Sequence, residues 1–324
     1  MNRYEPARTE RYIRAGKINF AFFGTDEFAV TILEELKNAG LIPALIVTTP
    51  DQSKGRRLRL TSPPVKLWAQ ETKVEFIQPT SLKTLDDQFR RLSRNPDLAS
   101  GLLIVASYGK IIPKDILAIP EHGTLNIHPS LLPKYRGPTP IQTAILNGDE
   151  ETGVTVMLLD EKMDHGPLLG QRKYQMTNLP DDKAGSKLQN YLELRDELAR
   201  TGGKLLAETI PNWLAGKIKA REQDHNQATF TKMITKSDGE IRFEDIEQKP
   251  LEIYRKFLAY TPWPGIYFFD NLRGEECAEN LRRVKITAAH LEPSLGGETS
   301  KLVIDRVIPA NKKEISWKDH QRGY

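Results

Sequence analysis

A polar pair at the end of an apolar strand is the feature of this sequence that most clearly suggests chemistry. Asn126 and His128 stand two residues apart in the segment GTLNIHPS, so in a strand both side chains point to the same face. Pro129 follows and cannot donate a ladder hydrogen bond, which predicts that the strand ends there. Polar groups at the carboxyl end of a strand are typical of ligand sites in open α/β sheets.

A carboxylate follows in the loop DEKMDHGP, where Asp164 precedes His165 and Gly166. Next to His128, this carboxylate would orient the imidazole and raise its basicity, and the Asn126 amide could donate to a developing oxyanion. Asn, His and Asp together suit the transfer of a carbonyl group without a covalent nucleophile. The structural alternatives are a turn-forming Asp and a His bonded locally at a strand end.

Other kinds of site lack their motifs. The first strand–helix turn, GTDEF, has no G-x-G-x-x-G pattern, and no P-loop occurs, so a nicotinamide cofactor is not expected. No serine is placed as a nucleophile elbow. The single cysteine, Cys277, excludes a disulfide scaffold and a Cys-rich zinc module. His122, His128 and His165 do not have metal-ligand spacing, so no metal is expected.

These residues require a scaffold of alternating strands and helices. The alternation predicts right-handed βαβ units and a doubly wound, mostly parallel α/β sheet of Rossmann-like type. Thr25 is expected to cap the first helix, and the Gly202-Gly203 pair to break a later one. The predicted strands cover 18–23, 44–47, 74–77, 102–106, 125–127, 153–159 and 168–176, and the predicted helices 25–38, a stretch from 64, 140–146, 183–214 and 251–260.

The chain of 324 residues is long enough for about two domains. We predict a polar extension over 1–16, a catalytic domain over 17–215 and a linker over 216–227, where the sequence GKIKAREQDHNQ is nearly free of large apolar groups. A smaller domain over 228–324 contains one helix followed by short strands, which indicates an OB-like β-barrel.

Composition narrows the class of protein further. Hydrophobic residues make up 39% and charged residues 28%, which excludes a disordered chain. No apolar run approaches the ~18–20 residues that span a bilayer, and the first 16 residues are neither a secretory signal nor a transit peptide. We therefore expect a cytoplasmic protein that does not enter a membrane. The net charge of +4 is mild and by itself indicates nucleic-acid binding only weakly.

Three strings resemble the folate-dependent formyltransferases: ASYGKIIP (106–113), NIHPSLLPKYRGPTPIQTAILNGDEETGVTVMLLD (126–160) and DHGP (164–167). The resemblance implies that the donor is 10-formyltetrahydrofolate, used as a co-substrate. It also implies that Asn126, His128 and Asp164 are the catalytic set and that Tyr108 and Gly109 wall the pterin pocket. The implied contacts to the reduced folate are Ser130, Leu131, Leu132 and Pro133.

Two segments resemble the branch of this family that formylates the α-amino group of initiator methionyl-tRNA for translation initiation. One is the basic loop TTPDQSKGRRLRLTSPPVK (48–66), in which Arg56 matches the family's most critical arginine. The other comprises FTKMITKSDGEIRF (230–243) and YTPWPG (260–265), which look like the family's tRNA-binding C-terminal domain. The implied tRNA contacts are Lys54, Arg56, Arg57 and Arg59.

Two alternatives to this function remain. We expect the protein to be a monomer. A sugar-nucleotide N-formyltransferase would share the three catalytic residues and the folate site, but would not need the basic loop or this second domain. A catalytically idle RNA-binding protein on the same scaffold is disfavoured by the intact Asn126, His128 and Asp164.

Overall fold

The computed structural model describes residues 18–54, 59–82, 101–176, 188–270, 282–292 and 300–323. The predicted extension over 1–16, the residues Arg56 and Arg57, and Cys277 lie outside these ranges. Lys54 is described by its backbone alone.

Within the described residues, seven strands form one sheet in the order β5-β2-β1-β6-β7-β8-β9. Strands β1, β2, β5, β6 and β7 pair in parallel, and β8 runs antiparallel to β7. The predicted doubly wound, mostly parallel sheet is confirmed. The strands are β1 (Ala21–Gly24), β2 (Leu45–Val47), β5 (Phe76–Ile77), β6 (Leu103–Ala106), β7 (Thr124–His128), β8 (Glu151–Leu158) and β9 (Leu168–Gln175).

The central strands are apolar on both faces because helices cover them. Every residue of β1 and β6 is buried, as the continuous apolar runs predict. The same region of the chain contains the helices α1 (Glu27–Asn38), α2 (Pro64–Thr72), α3 (Lys114–Leu117) and α4 (Pro140–Asn147) and the two-stranded ribbon of β3 (Gln52–Lys54) and β4 (Arg59–Thr61).

The N-cap of the first helix lies one residue later than predicted. Asp26 is its N-cap, and the Asp26 carboxylate accepts a hydrogen bond from the backbone N–H of Ala29 at 3.3 Å. The prediction of Thr25 as the cap is wrong because the Thr25 hydroxyl donates to the carbonyl of Tyr108 at 3.0 Å instead. Thr25 thereby ties the β1–α1 turn to the residues that follow β6.

Helix α5 (Tyr191–Leu214) runs without interruption through Gly202 and Gly203, so the predicted break there is wrong. Both glycines are buried and allow close packing. A Cβ on Gly202 would lie 2.9 Å from Cγ2 of Ile127, and one on Gly203 would lie 2.6 Å from Cβ of Glu35. The absence of two side chains therefore lets the helix approach both strand β7 and helix α1.

The C-terminal part of the chain is a small region of helices and strands. In its described residues, four antiparallel strands pair in the order β10-β11-β12-β13. Its elements are α6 (Asp245–Gln248), α7 (Pro250–Tyr260), β10 (Tyr267–Asp270), β11 (Arg282–Glu292), β12 (Lys301–Pro309), β13 (Ile315–Ser316) and α8 (Trp317–Gln321).

The chain divides into two compact units. One contains residues 1–137, 152–174 and 195–230, and the other contains 138–151, 175–194 and 231–324. The second unit thus includes helix α4, which packs against helix α7. The predicted domain boundary at 216–227 stays a prediction, while residues up to 230 group with the first unit.

We expect the substitution Gly203→Ala to lower the free energy of unfolding by about 1–2 kcal/mol. The helix-propensity gain of about 1 kcal/mol is outweighed by overpacking against Glu35 and the backbone of Ile32. Urea unfolding measures the change. Lys204→Ala, at the exposed neighbouring position, is the control and should change stability by less than about 0.5 kcal/mol. Equal stability of the Gly203→Ala variant and the wild type would contradict the packing argument.

Candidate active site

Strand β7 presents the two polar residues singled out in the sequence. Asn126 lies between Val105 of β6 and Met157 of β8 in the strand register and is half-buried. Among the described residues, the Asn126 side chain has no hydrogen-bond partner. His128, the last residue of the strand, is buried. The predicted position at the carboxyl end of the strand is confirmed, and the Asn126 amide is available to a ligand.

The hydrogen bonding of His128 distinguishes its two ring nitrogens. Nε2 lies 2.8 Å from the carbonyl oxygen of Tyr135. A carbonyl oxygen can only accept, so Nε2 carries the hydrogen and donates it. Nδ1 faces Oδ1 of Asp164 at 3.6 Å. In the neutral imidazole the lone pair is therefore on Nδ1, and the carboxylate stabilises the ring when Nδ1 takes up a proton.

Asp164 is held by the backbone of a neighbouring loop. Its Oδ2 accepts a hydrogen bond from the N–H of Gly137 at 2.7 Å, while Oδ1 is directed towards His128. The side chain is 14% exposed. Asp164 has a φ of 49°, in the left-handed region that Asp tolerates better than most residues. The three residues predicted to act together thus lie in one small region of the first unit.

The predicted folate segment, Ser130 to Pro133, is fixed by polar contacts. The Ser130 hydroxyl donates to the carbonyl of Lys134 at 2.6 Å. Leu132 is buried against Met157 and Leu168, whereas Leu131 and Pro133 are partly exposed. The segment therefore presents a rigid backbone with some accessible apolar surface.

Thr155 and Gln171 hold this segment, and the sequence analysis did not single out either residue. The buried Thr155 hydroxyl donates to the carbonyl of Ser130 at 2.6 Å and accepts from the N–H of Leu132 at 3.1 Å. The Gln171 amide donates to the carbonyl of Leu132 at 2.8 Å. The available signal was a threonine within the apolar run of β8, since a buried hydroxyl in such a run needs a partner.

Tyr108 and Gly109 occupy different environments. The Tyr108 side chain packs in the core with Phe23, and its buried hydroxyl has no partner among the described residues. Burial raises the pKa of Tyr108 to about 12. Gly109 is exposed, with a φ of 75°. Tyr108 is buried as a whole residue, so Gly109 is the accessible one of the two, and the prediction that they wall a ligand pocket stays a prediction.

The predicted linker segment contacts the site rather than standing apart from it. Arg221 pairs with Leu168 through two backbone hydrogen bonds. Thr229 donates its N–H to the carbonyl of Pro133 at 3.2 Å and accepts at its hydroxyl from the N–H of Tyr135 at 2.8 Å. Arg221, in the predicted linker, therefore pairs with the start of strand β9, while Thr229, just after the linker, braces the loop that follows strand β7.

The predicted basic loop is described in part. Arg59 lies in the exposed ribbon strand β4. Lys66 is bound to Asp51 at 2.7 Å, and hydrogen bonds from Gln78 and Lys66 hold the pKa of Asp51 below its usual value. Lys66 therefore does not add free positive charge, and the predicted tRNA contacts remain Lys54, Arg56, Arg57 and Arg59.

Two features of the described residues concern metal binding and membrane crossing. No cluster of three or more His, Cys, Asp or Glu side chains there could hold a metal ion. In the same part of the chain, none of the helices is both long and apolar enough to cross a bilayer. The polar groups that converge at the site are an amide, an imidazole and a carboxylate, which suit proton transfer and stabilisation of an oxyanion.

Comparison with solved structures identifies proteins of the same fold. A 4-N formyltransferase from Francisella tularensis superimposes with a TM-score of 0.57 at 17% identity, over 79% of this chain and 93% of that one. HypX from Aquifex aeolicus, in complex with tetrahydrofolic acid, gives 0.61 at 15% identity, over 93% of this chain and 46% of that one. At these identities the likeness concerns the fold alone.

Comparison of sequences is more specific. A methionyl-tRNA formyltransferase of Chloroflexus aurantiacus (strain J-10-fl) is 44% identical over 248 residues, 76% of this chain and 75% of the relative. One of Halalkalibacterium halodurans is 35% identical over 317 residues, 94% of this chain and 95% of the relative. The formyl transferase family pattern matches residues 17–197, and the pattern of the formyl transferase C-terminal domain matches 233–315. The chain belongs to the formyl transferase family.

Proposed function

We propose that this protein transfers a formyl group from 10-formyltetrahydrofolate to the α-amino group of initiator methionyl-tRNA. The observation that carries the proposal is the Asn126 amide, which has no partner among the described residues and lies on the same strand as His128, whose Nδ1 faces Asp164. The relatives named methionyl-tRNA formyltransferase, 35–44% identical over most of the chain, support methionyl-tRNA as the acceptor. The tetrahydrofolic acid bound to the structural neighbour HypX supports a folate donor.

The reaction begins with the neutral amine of the methionyl ester. This nitrogen attacks the formyl carbon, and a tetrahedral intermediate forms with negative charge on the former carbonyl oxygen. When the bond to the folate nitrogen breaks, that nitrogen gains a proton and the amine has lost one, so the proton count balances. No covalent enzyme intermediate is needed.

Asn126 is placed to stabilise the intermediate. Its amide N–H groups can donate to the oxyanion without giving up an internal hydrogen bond. One such donor typically contributes about 3–4 kcal/mol to transition-state stabilisation.

His128 and Asp164 handle the proton. Since Nε2 is committed to the Tyr135 carbonyl, Nδ1 is the ring atom that can accept a proton. The Asp164 carboxylate, 3.6 Å away, stabilises the resulting imidazolium. The pair therefore acts as one proton-accepting unit, with the proton located at Nδ1 or on the carboxylate.

The donor and tRNA contacts complete the proposal. Ser130–Pro133 and Gly109 would form the folate pocket, with Leu131 and Pro133 as the accessible residues of that segment. Lys54, Arg56, Arg57 and Arg59 would bind the phosphates of the acceptor end. The C-terminal antiparallel sheet would supply further tRNA contacts. The cytoplasmic location and the monomeric state stay predictions.

A direct assay distinguishes the candidate functions. Purified protein with 10-formyltetrahydrofolate should formylate methionyl-tRNA and leave amino-sugar nucleotides unchanged. Transfer to an amino sugar alone would establish the sugar-nucleotide alternative. Absence of transfer to either acceptor, with tRNA still bound, would establish the idle RNA-binding alternative.

We expect Asn126→Ala to lower kcat by about 10²–10³-fold, because the oxyanion loses a donor. The thermal midpoint should stay near that of the wild type, since among the described residues the Asn126 side chain contributes no hydrogen bond to the fold. Single-turnover kinetics and calorimetry measure the two quantities. Asn212→Ala, an exposed position in helix α5, serves as the control. A wild-type kcat in the Asn126 variant would remove the oxyanion role.

Thr155→Val should raise the KM for the folate donor about tenfold, because Ser130 and Leu132 lose the hydroxyl that holds their backbone. Steady-state kinetics with varied donor concentration measures it. Thr155→Ser keeps the hydroxyl and should restore the KM to within about twofold. Equal donor KM values for the Val and Ser variants would contradict the assignment of Ser130–Pro133 to the folate pocket.

Arg59→Ala should weaken tRNA binding without changing the donor KM. Removing one cation that neutralises a phosphate should reduce the slope of log affinity against log salt by about 0.7–0.9. Binding titrations from low to physiological salt measure the slope, with Arg200→Ala on helix α5 as the control for removal of one exposed arginine. An unchanged slope in the Arg59 variant would mean that the ribbon does not bind phosphate.

A further inference from the structure

Gln223 is a buried amide contributed by the segment predicted as a linker. It is 5% exposed, although its neighbours Glu222 and Asp224 are exposed. Its Nε2 donates to the carbonyl of Asp164 at 2.9 Å and to that of Gly166 at 2.7 Å. Both amide hydrogens are therefore bonded to the backbone of the loop that carries the Asp164 carboxylate.

The other end of the same amide binds Arg136. Oε1 of Gln223 accepts from Nε of Arg136 at 3.2 Å and from Nη2 at 2.7 Å. Arg136 is 4% exposed, so this contact is also buried. An amide that makes four hydrogen bonds has its full capacity engaged, which is the arrangement expected of a fixed connector between two loops.

The two loops that Gln223 joins are the ones that define the His128–Asp164 pair. Arg136 lies between Tyr135, whose carbonyl accepts from His128 Nε2, and Gly137, whose N–H donates to Asp164 Oδ2. The Gln223 amide binds the side chain of Arg136 on one side and the backbone of Asp164 on the other. A shift of either loop would change the separation of His128 Nδ1 and Asp164 Oδ1.

We infer that Gln223 is a positioning residue for catalysis, which sets the geometry of the His128–Asp164 pair without touching the substrate. This inference rests on the proposed function, since it concerns the efficiency of the same proton transfer. The Gln223 side-chain amide has two halves. The acceptor half, Oε1, binds Arg136, and the donor half, Nε2, holds the Asp164 loop. The donor half can be removed by substitution while the acceptor half is kept.

A second contact of Arg136 explains why the donor half of the Gln223 amide can be tested apart from the acceptor half. Nη2 of Arg136 also donates to Nδ1 of His225 at 2.8 Å, and the His225 ring stacks on that of His165 at 4.0 Å. His165 Nδ1 in turn lies 2.6 Å from Asp160 Oδ2. Arg136 is thus oriented by more than Gln223, and it can pair with a carboxylate at position 223 without leaving its place.

The substitution Gln223→Glu isolates the donor half. The new carboxylate still accepts from Arg136 as a charge-assisted pair, but it cannot donate to the carbonyls of Asp164 and Gly166. We expect kcat for methionyl-tRNA to fall about 10²-fold, as for a displacement of about 1 Å of a reacting group. The donor KM should stay within twofold and the thermal midpoint within a few degrees of the wild type.

Hydrogen exchange reports directly on the position of the Asp164 carboxylate next to the N–H of Gly137. The N–H of Gly137 is protected by Asp164 Oδ2, so exchange in a peptide spanning 134–139 should accelerate in the Gln223→Glu variant. Gln227→Glu makes the same chemical change four residues later, on an exposed side chain whose one hydrogen bond to a described residue is to Asp224. This control should leave both kcat and the exchange of 134–139 unchanged.

The results separate this inference from the proposed function. If the wild type does not formylate methionyl-tRNA, the proposed function fails. If the wild type is active and the Gln223→Glu variant has a kcat within twofold of it, per folate-binding site titrated, Gln223 is not a positioning residue. Should the Glu variant fold poorly, Gln223→Asn, which keeps the amide but is one methylene shorter, decides by the same per-site kcat: a loss of tenfold or more supports the inference, and a smaller loss overturns it.

Discussion

The hydrogen bond from His128 Nε2 to the carbonyl of Tyr135 determines much of what this site can do. Because a carbonyl cannot donate, the bond places the ring hydrogen on Nε2 and leaves Nδ1 directed at Asp164. The same short turn then uses the Gly137 N–H to hold the carboxylate. One stretch of backbone, 135–137, thus sets the tautomer of His128 and the orientation of the Asp164 carboxylate.

The scaffold beneath this turn depends on close approach between backbone elements. Strand β7 carries Asn126 and His128, and Gly202 allows helix α5 to contact Ile127 on the same strand. A side chain at Gly202 would force the helix away from the strand. Protein interiors are too densely packed to absorb such a displacement locally, so it would be transmitted to the residues at the strand end.

Segments far apart in the chain supply the contacts that surround the candidate site. Thr155 and Gln171 hold the Ser130–Pro133 backbone. Gln223 comes from the predicted linker over 216–227, and Thr229 lies just after it. The segment 216–227 is polar, but its buried Gln223 amide and the Arg136 guanidinium form their hydrogen bonds within the first compact unit. Buried polar groups need such partners, and here the partners belong to the site.

The sequence alone determined the alternating architecture and the pairing of Asn126 with His128, because both follow from local periodicity. A strand with apolar residues on both faces must be covered by helices, and two residues at a spacing of two must share a face. The family motifs likewise identified the formyl transferase fold. Local pattern was misleading at Gly202-Gly203, where the propensity of glycine to break helices was overridden by the need for close packing. The prediction of Thr25 as the cap of the first helix was also wrong, since Asp26 is the N-cap.

Only the tertiary structure determined which polar groups form hydrogen bonds or ion pairs with each other across the fold. Asp164 is 27 residues from Gly137 in sequence, and Gln223 is 59 residues from Asp164, yet each pair is joined by a short hydrogen bond. No periodicity encodes such contacts, because they depend on where loops from different strands converge. The neutralisation of Lys66 by Asp51 and the availability of the Asn126 amide were decided in the same way. The residue types were visible in the sequence, and their partners were set by folding.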